Sequence, residues 1–255
     1  MDYLILGGDA RMPALAALLR AQGYTALHTA RPMAEALAAA ENIVVNCPPR
    51  CDLTMEALLA MTSPRARVWL CGPMGMEGPR MVDLWKDETL QTENAWLTAE
   101  GAVSAAMRNS GRCLRGMCCA VIGWGRIGRA LTELLVALGA RVTVISRSES
   151  HRHRAIERGA EAVAPERMGD ALNAAGLVIN TAPAMVLDKD ALQHMARDAM
   201  AIDLASPPYG IDLGAAWNRG LRAWREPGLP GRYCPMSAAG ALLRAMERRH
   251  AQWRA

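Results

Sequence analysis

The residues with the clearest chemical meaning form a turn from Gly123 to Gly128, which reads Gly-Trp-Gly-Arg-Ile-Gly. The first glycine permits a tight turn, the second lets backbone approach a pyrophosphate, and the third lets a helix pack closely on a strand. The following helix offers free N–H groups and the positive end of its dipole to phosphates. The turn therefore favours a dinucleotide site over an unliganded turn. We expect the cofactor to contact Gly123, Gly125, Arg126, Ile127 and Gly128.

Ser146, Arg147 and Ser148 follow the next β-rich run and indicate which cofactor binds. NAD-binding chains usually carry Asp or Glu at this point, to hold the ribose hydroxyls. Here no carboxylate repels a 2′-phosphate, and an arginine and two hydroxyls are available to bind one. We therefore expect NADP. The alternative is that these residues, with Arg152 and Arg154 beyond them, form a solvated basic face.

Two later motifs stand at the ends of predicted strands. They read Asn-Thr-Ala-Pro at 180–183 and Asp-Leu-Ala-Ser at 203–206. Because ligands bind beyond the carboxyl ends of parallel strands, both motifs should line the cofactor groove. Thr181 can donate its hydroxyl to ribose or pyrophosphate oxygens. The expected cofactor contacts here are Thr181, Ala182, Pro183 and Ala205.

The opening motif, Gly-Gly-Asp-Ala-Arg at 7–11, resembles a second nucleotide turn but lacks its third glycine. Asp9 would place a negative charge where a phosphate should bind, so electrostatics argue against a second dinucleotide site. Arg11 instead offers a forked donor at the ligand edge, which suits a carboxylate. We expect Asp9, Arg11 and Ser206 to bind a carboxylate-bearing substrate. The alternative for Arg11 is a surface arginine near a turn.

Candidates for the catalytic groups are Glu100, Arg11 and Ser206, because no histidine stands in a motif that suggests a relay. We expect a helix from Thr98 to about Gly111, with Thr98 as its N-cap. Glu100 is then either a carboxylate at the hinge between domains or a first-turn residue that favours the helix dipole. Asp203 is as well explained by ordering the loop after its strand.

The stretches that must position these residues alternate between β-rich and helical patterns, which predicts parallel sheets with right-handed crossovers. We predict an α/β fold of two doubly wound, Rossmann-like parallel-sheet domains facing a cleft. Residues 1–97 would form a substrate domain and residues 98–235 the NADP-binding domain. The last helix, 236–255, is expected to pack back on the first domain.

Composition excludes several classes of function. The chain has 255 residues, 51% of them hydrophobic, and a net charge of +4. Its basic residues are scattered and no zinc-ligand spacing appears, so we expect no nucleic acid and no metal. The seven cysteines are odd in number and form no C-x-x-C pair, which is typical of a reducing cytoplasm. The start does not read as a signal peptide, and no apolar run reaches transmembrane length.

Taken in order, the motifs resemble those of the dipicolinate synthase NADP-binding subunit family, which comprises the A subunits of dipicolinate synthases. The resemblance covers nearly the whole chain. It rests on the motifs at 7–11, 99–101, 121–126, 180–183 and 203–206, and on Pro-Gly-Leu-Pro-Gly at 227–231, which reads as a rigid loop. The first and the last are the most specific. The stretch 72–96 looks shorter than in typical members, which carry a fuller helix there.

This resemblance implies a function in endospore-forming bacteria, in the cytoplasm of the mother cell. The family oxidises a dihydrodipicolinate, or the hydroxylated tetrahydro precursor from the lysine pathway, to pyridine-2,6-dicarboxylate, with NADP as acceptor. It implies a second, flavoprotein-like partner, the B subunit of dipicolinate synthase, and we also expect a homo-oligomer. Carried to this chain, Arg11 would hold a substrate carboxylate. Glu100 would be the base or orient the substrate, with Ser206 nearby.

The residues alone are also compatible with two other functions. One is an NADP-dependent dehydrogenase acting on another small carboxylic acid. The other is a regulatory protein that senses NADP and performs no chemistry, which the lack of a catalytic histidine allows. Arg11 and Glu100 argue against a pure sensor, since a sensor needs no charged side chains to bind a substrate.

Overall fold

A computed structural model of the chain describes residues 1–31, 33–46, 54–76 and 78–254. It divides into two compact units. Unit 1 consists of Met1–Asn94 and Pro230–Ala255, and unit 2 consists of Ala95–Leu229. None of the helices in the described ranges combines the length and the hydrophobicity that a transmembrane span requires.

The strands alternate with helices along the whole chain. The strands are β1 Tyr3–Leu6, β2 Ala26–Thr29, β3 Asn42–Val45, β4 Arg67–Leu70, β5 Met81–Asp83, β6 Cys118–Ile122, β7 Arg141–Ile145, β8 Glu161–Val163, β9 Leu177–Asn180, β10 Met200–Asp203 and β11 Arg222–Arg225. The helices are α1 Arg11–Ala21, α2 Ala34–Ala39, α3 Met55–Met61, α4 Glu88–Ser110, α5 Arg126–Ala137, α6 Glu149–Glu157, α7 Met168–Ala174, α8 Lys189–Gln193, α9 Leu213–Asn218, α10 Leu229–Tyr233 and α11 Pro235–Arg254. Short 3-10 helices cover Leu84–Lys86 and Pro165–Arg167.

Unit 1 contains a five-stranded parallel sheet in the order β2-β1-β3-β4-β5. Successive side chains of β1 point to opposite faces, so Ile5 and Leu6 belong to two different apolar clusters. One cluster joins α1 to α11, and it includes Leu15, Leu242 and Met246. Helices on both faces explain why the strands read as continuous apolar runs.

Unit 2 contains a six-stranded parallel sheet in the order β11-β10-β9-β6-β7-β8. Counted within the unit, this is the 3-2-1-4-5-6 order of the Rossmann fold, and unit 1 has the related order 2-1-3-4-5. In each sheet the direction in which new strands are added reverses once, between β1 and β3 in unit 1 and between β6 and β9 in unit 2. The prediction of two Rossmann-like parallel-sheet domains is confirmed.

The start of α4 corrects the sequence analysis. The helix begins at Glu88, ten residues before the expected N-cap, so Thr98 is a buried residue within the helix and is not its N-cap. Asp87 precedes the helix and its Oδ1 accepts the N–H of Leu90 at 2.9 Å. Burial alone would raise the pKa of the Asp87 carboxyl, but hydrogen bonds from Arg248 and from Leu90 outweigh it and lower the pKa.

One smaller prediction also differs from the structure, and one short strand was not predicted at all. The segment 227–231 reads as a rigid loop, but its second half is helical because α10 begins at Leu229. The three-residue strand β5 has no counterpart in the sequence analysis, since a run this short carries no clear period. Among the cysteines, Cys47 and Cys51 lie outside the described residues, and none of the five described cysteines forms a disulfide with another described residue. Burial raises the pKa of Cys119 to about 12, with a smaller effect from Cys118.

Candidate functional site

The glycine turn of unit 2 connects β6 to α5 at the point where the sheet order reverses. Gly123 has φ +100°, and its N–H donates to the carbonyl of Ile145 at 3.0 Å. A Cβ on Gly123 would lie 2.6 Å from Thr181 Oγ1. A Cβ on Gly128 would overlap the carbonyl oxygen of Gly123. Both positions therefore require glycine for the turn itself to form.

Gly125 has a different role from the other two glycines. It is the N-cap of α5 and contributes no side-chain cap, so the first N–H groups of the helix have no side-chain acceptor there. A Cβ at this position would meet nothing within 4 Å. The space beside Gly125 is thus open at the positive end of a helix, an arrangement that binds anions.

A cavity of about 660 Å³ lies beside this turn, within the size range of ligand pockets. Eight of the expected cofactor residues line it: Gly123, Gly125, Ser146, Arg147, Ser148, Thr181, Ala182 and Pro183. The other four expected contacts, Arg126, Ile127, Gly128 and Ala205, are not among the lining residues. Gly128 supports the turn from behind, and Ala205 belongs to the loop after β10.

Several residues of the cavity wall were missed by the sequence analysis. They are mostly apolar or aromatic: Trp124, His151, Pro165, Met168 and Met185. Trp124 stands inside the glycine motif, where the pattern leaves its identity free. It is 5% exposed, and its indole nitrogen is buried without a hydrogen-bond acceptor in the described part of the chain. Flat apolar walls with few polar groups are typical of cofactor sites.

The end of β7 forms the polar side of this cavity. Ser148 caps α6 and accepts the N–H of His151. Nη1 of Arg152 donates to the carbonyls of Ser146 and Arg147, both at 2.9 Å, and so fixes this loop. The Arg147 side chain is exposed and makes no hydrogen bond or ion pair with any described residue. Arg152 is thus a structural residue, and Arg147 is the guanidinium available to a ligand.

Thr181 lies at the end of β9 and stabilises the glycine turn. Its backbone N–H and its Oγ1 both donate to the carbonyl of Ile122 at 2.9 Å. A threonine hydroxyl has one hydrogen, so the expected donation from Thr181 to ribose or pyrophosphate is incompatible with this bond. Thr181 still lines the cavity, as a hydrogen-bond acceptor.

Asn180 and Asp203 form a buried polar pair at the ends of β9 and β10. Asn180 Nδ2 donates to Asp203 Oδ1 at 2.8 Å. Asp203 Oδ2 also accepts the N–H groups of Gly210 and Ile211 at 2.9 and 3.2 Å. Asp203 is 1% exposed, so its role is the structural one, which is to hold the loop that contains Ser206. Ser206 itself is exposed in that loop.

The corresponding turn in unit 1 connects β1 to α1. Arg11 Nε and Nη2 donate to the two Asp9 carboxylate oxygens, each at 2.9 Å, and Nη2 also donates to Asn46 Oδ1 at 3.2 Å. The side chain of Arg11 is only 13% exposed, so it is not a surface arginine. Its fork is occupied by Asp9. Nη1 is the one arm of Arg11 that bonds to no described residue.

The motif at 227–231 also reaches this turn. A Cβ on Gly231 would lie 2.6 Å from Asp9 Oδ1 and 2.8 Å from Oδ2. Gly231 therefore makes room for the Asp9 carboxylate. The first and last motifs of the chain, far apart in sequence, are therefore close together within unit 1, and the lack of space explains why position 231 is glycine.

Glu100 lies within α4, on an exposed position. It forms no hydrogen bond or ion pair with the described residues. Its partner-free carboxylate fits a base, but its catalytic role stays a prediction. In the described part of the chain no group of three or more His, Cys, Asp or Glu side chains could hold a metal ion.

Comparisons with known proteins agree with this geometry. Residues 81–206 match the family model described as "D-isomer specific 2-hydroxyacid dehydrogenase, NAD binding domain". This stretch contains the glycine turn and the whole cavity wall. The match supports a nicotinamide dinucleotide site of the dehydrogenase type in this part of the chain.

The chain is also similar to the A subunit of dipicolinate synthase from Bacillus subtilis, with 31% identity over 169 residues. The match covers 66% of this chain and 57% of that protein, so it spans little more than half of the relative's length. Crystal structures of this type of subunit from Bacillus halodurans and from Bacillus subtilis share the fold. Their TM-scores are 0.80 and 0.79, at 24% and 23% identity, over 97% and 99% of this chain and 96% of each of theirs. The resemblance inferred from the motifs is confirmed.

Proposed function

We propose that this chain acts as the NADP-binding dehydrogenase subunit of dipicolinate synthase, the family that it resembles. In this proposal residues 98–235 bind NADP, and residues 1–97 with the last helix bind the substrate. One observation carries the proposal: the glycine turn opens on a cavity whose polar side is Ser146, Arg147 and Ser148. A carboxylate at that side would repel a 2′-phosphate, and these three side chains can bind one.

Residues at two ends of the cavity would bind different parts of the cofactor. The N–H groups at the start of α5, beside Gly125, would bind the pyrophosphate. Arg147 would pair with the 2′-phosphate, since its guanidinium has no partner among the described residues. When bound, NADP supplies the hydride acceptor, and the protein supplies binding, orientation and electrostatics.

Aromatisation of a dihydropyridine dicarboxylate releases one hydride, to NADP, and one proton. We propose Glu100 as the group that takes this proton, because its exposed carboxylate has no competing partner among the described residues. Arg11 would bind a substrate carboxylate through Nη1 alone, because Asp9 holds the other arms of the fork. Ser206 would contribute its hydroxyl from the loop held by Asp203.

The direct test mixes the chain with NADP and freshly prepared dihydrodipicolinate, and follows the ultraviolet absorbance of dipicolinate. The assay is run with and without the B subunit, the flavoprotein-like partner that the family implies. Product in either mixture supports the proposal, and product only in the mixture with the partner indicates shared catalysis. No product in both mixtures overturns it. The proposal places the protein in the mother-cell cytoplasm, as a homo-oligomer, and gel filtration tests the latter.

The second candidate function is dehydrogenation of another small carboxylic acid. The match of residues 81–206 to the NAD-binding domain of 2-hydroxyacid dehydrogenases favours it. The same protein is therefore assayed with small 2-hydroxy acids and either NADP or NAD. Turnover of one of these, with no dipicolinate formed in the first assay, would replace the first proposal.

A further inference from the structure

Arg225 is the last residue of β11, at the carboxyl edge of the unit 2 sheet, where it pairs in register with Asp203. This is the edge at which open parallel sheets bind their ligands. The side chain is exposed, and its guanidinium carbon lies 4.0 Å from the centroid of the Tyr209 ring. Stacking of a guanidinium on an aromatic face leaves its N–H groups free at the edges.

The surrounding loop holds Tyr209 in a backbone conformation that tyrosine does not favour. It has φ +68°, a left-handed conformation that is unfavourable for a bulky side chain. Its N–H donates to the carbonyl of Ser206 at 3.0 Å, and the next two N–H groups donate to buried Asp203. Residues kept in such conformations by their surroundings cluster at functional sites. The loop therefore presents the Tyr209 ring as a fixed platform for Arg225.

The Arg225 guanidinium makes no hydrogen bond or ion pair with the residues that the structure describes. The neighbouring carboxylate is engaged elsewhere, because Glu226 Oε2 accepts the indole N–H of Trp224 at 2.6 Å. Arg222, at the other end of the same strand, is different: it donates to the carbonyls of Asn109 and Asp198. Of these two arginines, Arg225 at the ligand edge is oriented by Tyr209, and its guanidinium N–H groups donate to no described residue.

We propose that Arg225 binds a carboxylate of the substrate, that Tyr209 positions it, and that Ser206 adds a hydroxyl from the same loop. The guanidinium offers the planar fork that a carboxylate accepts in a bidentate manner. This inference rests on the proposed function, in which the substrate is a small acid with one carboxylate or two. All three residues of this proposed site, Ser206, Tyr209 and Arg225, belong to unit 2.

The test measures the binding of four acids to the NADP-loaded protein by calorimetry: dipicolinate, 2-oxoglutarate, pyruvate and D-lactate. Arg225→Gln should weaken the best-bound acid about 10- to 100-fold, because it removes charge-assisted hydrogen bonds. The affinity for NADP should stay within about twofold. Arg222→Gln is the matched control on the same strand, and it should leave the affinity for the acid unchanged.

Tyr209→Gly separates positioning from a merely structural role. Glycine adopts this conformation without strain, so the melting temperature should be maintained or raised. The acid should nevertheless bind about 3- to 10-fold more weakly, since Arg225 loses its platform. A variant with normal stability and unchanged affinity for the acid would overturn the role of Tyr209.

The outcomes distinguish this inference from the proposed function. Dipicolinate bound equally by wild type and Arg225→Gln overturns the inference alone. A different acid bound by wild type and lost in Arg225→Gln supports the inference and overturns the proposed substrate. A protein that binds none of the four acids overturns both, and a variant that loses NADP instead of the acid overturns the assignment to substrate.

Discussion

Each unit has a turn between its first strand and the helix that follows it, and the two turns differ at one decisive position. Both begin with a glycine of positive φ, Gly7 at +132° and Gly123 at +100°. Two residues later unit 1 has Asp9, whereas unit 2 has Gly125. Asp9 fills the helix start in unit 1 with its own carboxylate, which accepts the N–H of Arg11 at 2.8 Å. Gly125 leaves the corresponding place open.

In each unit a single side chain determines whether the N terminus of the helix is open to an external anion. A positive helix end favours an anion whatever its source. In unit 1 the anion is covalently part of the chain, and it pairs with Arg11 at the point where the sheet order reverses. In unit 2 the same type of position is free, and it opens on the cavity of about 660 Å³.

The largest expected effect comes from Gly128→Ala. The new Cβ would overlap the Gly123 carbonyl oxygen, which is backbone and cannot yield. We expect a loss of about 3 kcal/mol in the free energy of unfolding, with dinucleotide binding lost as well. Urea unfolding and calorimetry with NADP measure the two. Gly8→Ala is the control in the other turn, because a Cβ there meets nothing within 4 Å; equal damage from both variants would contradict the comparison.

Gly125→Asp converts the open turn into the occupied one. The space around this Cβ is free, so the fold and the melting temperature should be nearly unchanged. The new carboxylate would face the cofactor phosphates, and we expect NADP binding to weaken about 100-fold or more. Normal NADP affinity in this variant would show that the phosphates bind elsewhere.

Arg147→Asp should change the preference between cofactors. Losing a guanidinium partner and adding a negative charge should weaken NADP about 10- to 100-fold. The affinity for NAD should change little, because NAD has no 2′-phosphate. Fluorescence titrations with NADPH and NADH compare the two. Parallel loss of both would refute the assignment of the 2′-phosphate to Arg147.

Asp9→Asn tests the occupied turn and should have the smallest effect. The amide keeps the size of the side chain but removes the charge that pairs with Arg11. We expect a loss of about 1–2 kcal/mol in the free energy of unfolding, with NADP affinity unaltered. Thermal unfolding with and without NADP measures both. A reduced NADP affinity would mean that the unit 1 turn contributes to the cofactor site.

Local pattern was enough to predict the cofactor turn. The strand, the three glycines and the helix lie within 20 residues, so the spacing alone specifies the geometry. The fold class followed in the same way from the alternation of β-rich and helical stretches. The charge and position of Asp9 were likewise enough to predict that its turn does not bind a phosphate.

Other features depended on side-chain directions that spacing does not encode. The sequence places Arg11 two residues after Asp9, but only coordinates show that the fork turns back onto that carboxylate. The start of α4 was missed because its first residues are polar and resemble a loop; the Asp at 87, three residues before Leu90, was the available signal. The buried pair Asn180–Asp203 and the platform at Tyr209 depend on contacts between separate loops.

The composition of the unit 1 core has a consequence for biosynthesis. Leu15 on α1 packs with Leu242 and Met246 on α11, and α11 is encoded at the other end of the chain. On the ribosome, residues 95–229 emerge complete before this last helix does. Unit 2 is thus the part that can fold first, while the apolar side of α1 stays exposed until α11 has been synthesised. A nascent chain halted before residue 235 should expose that side to chaperones, and completing translation should release it.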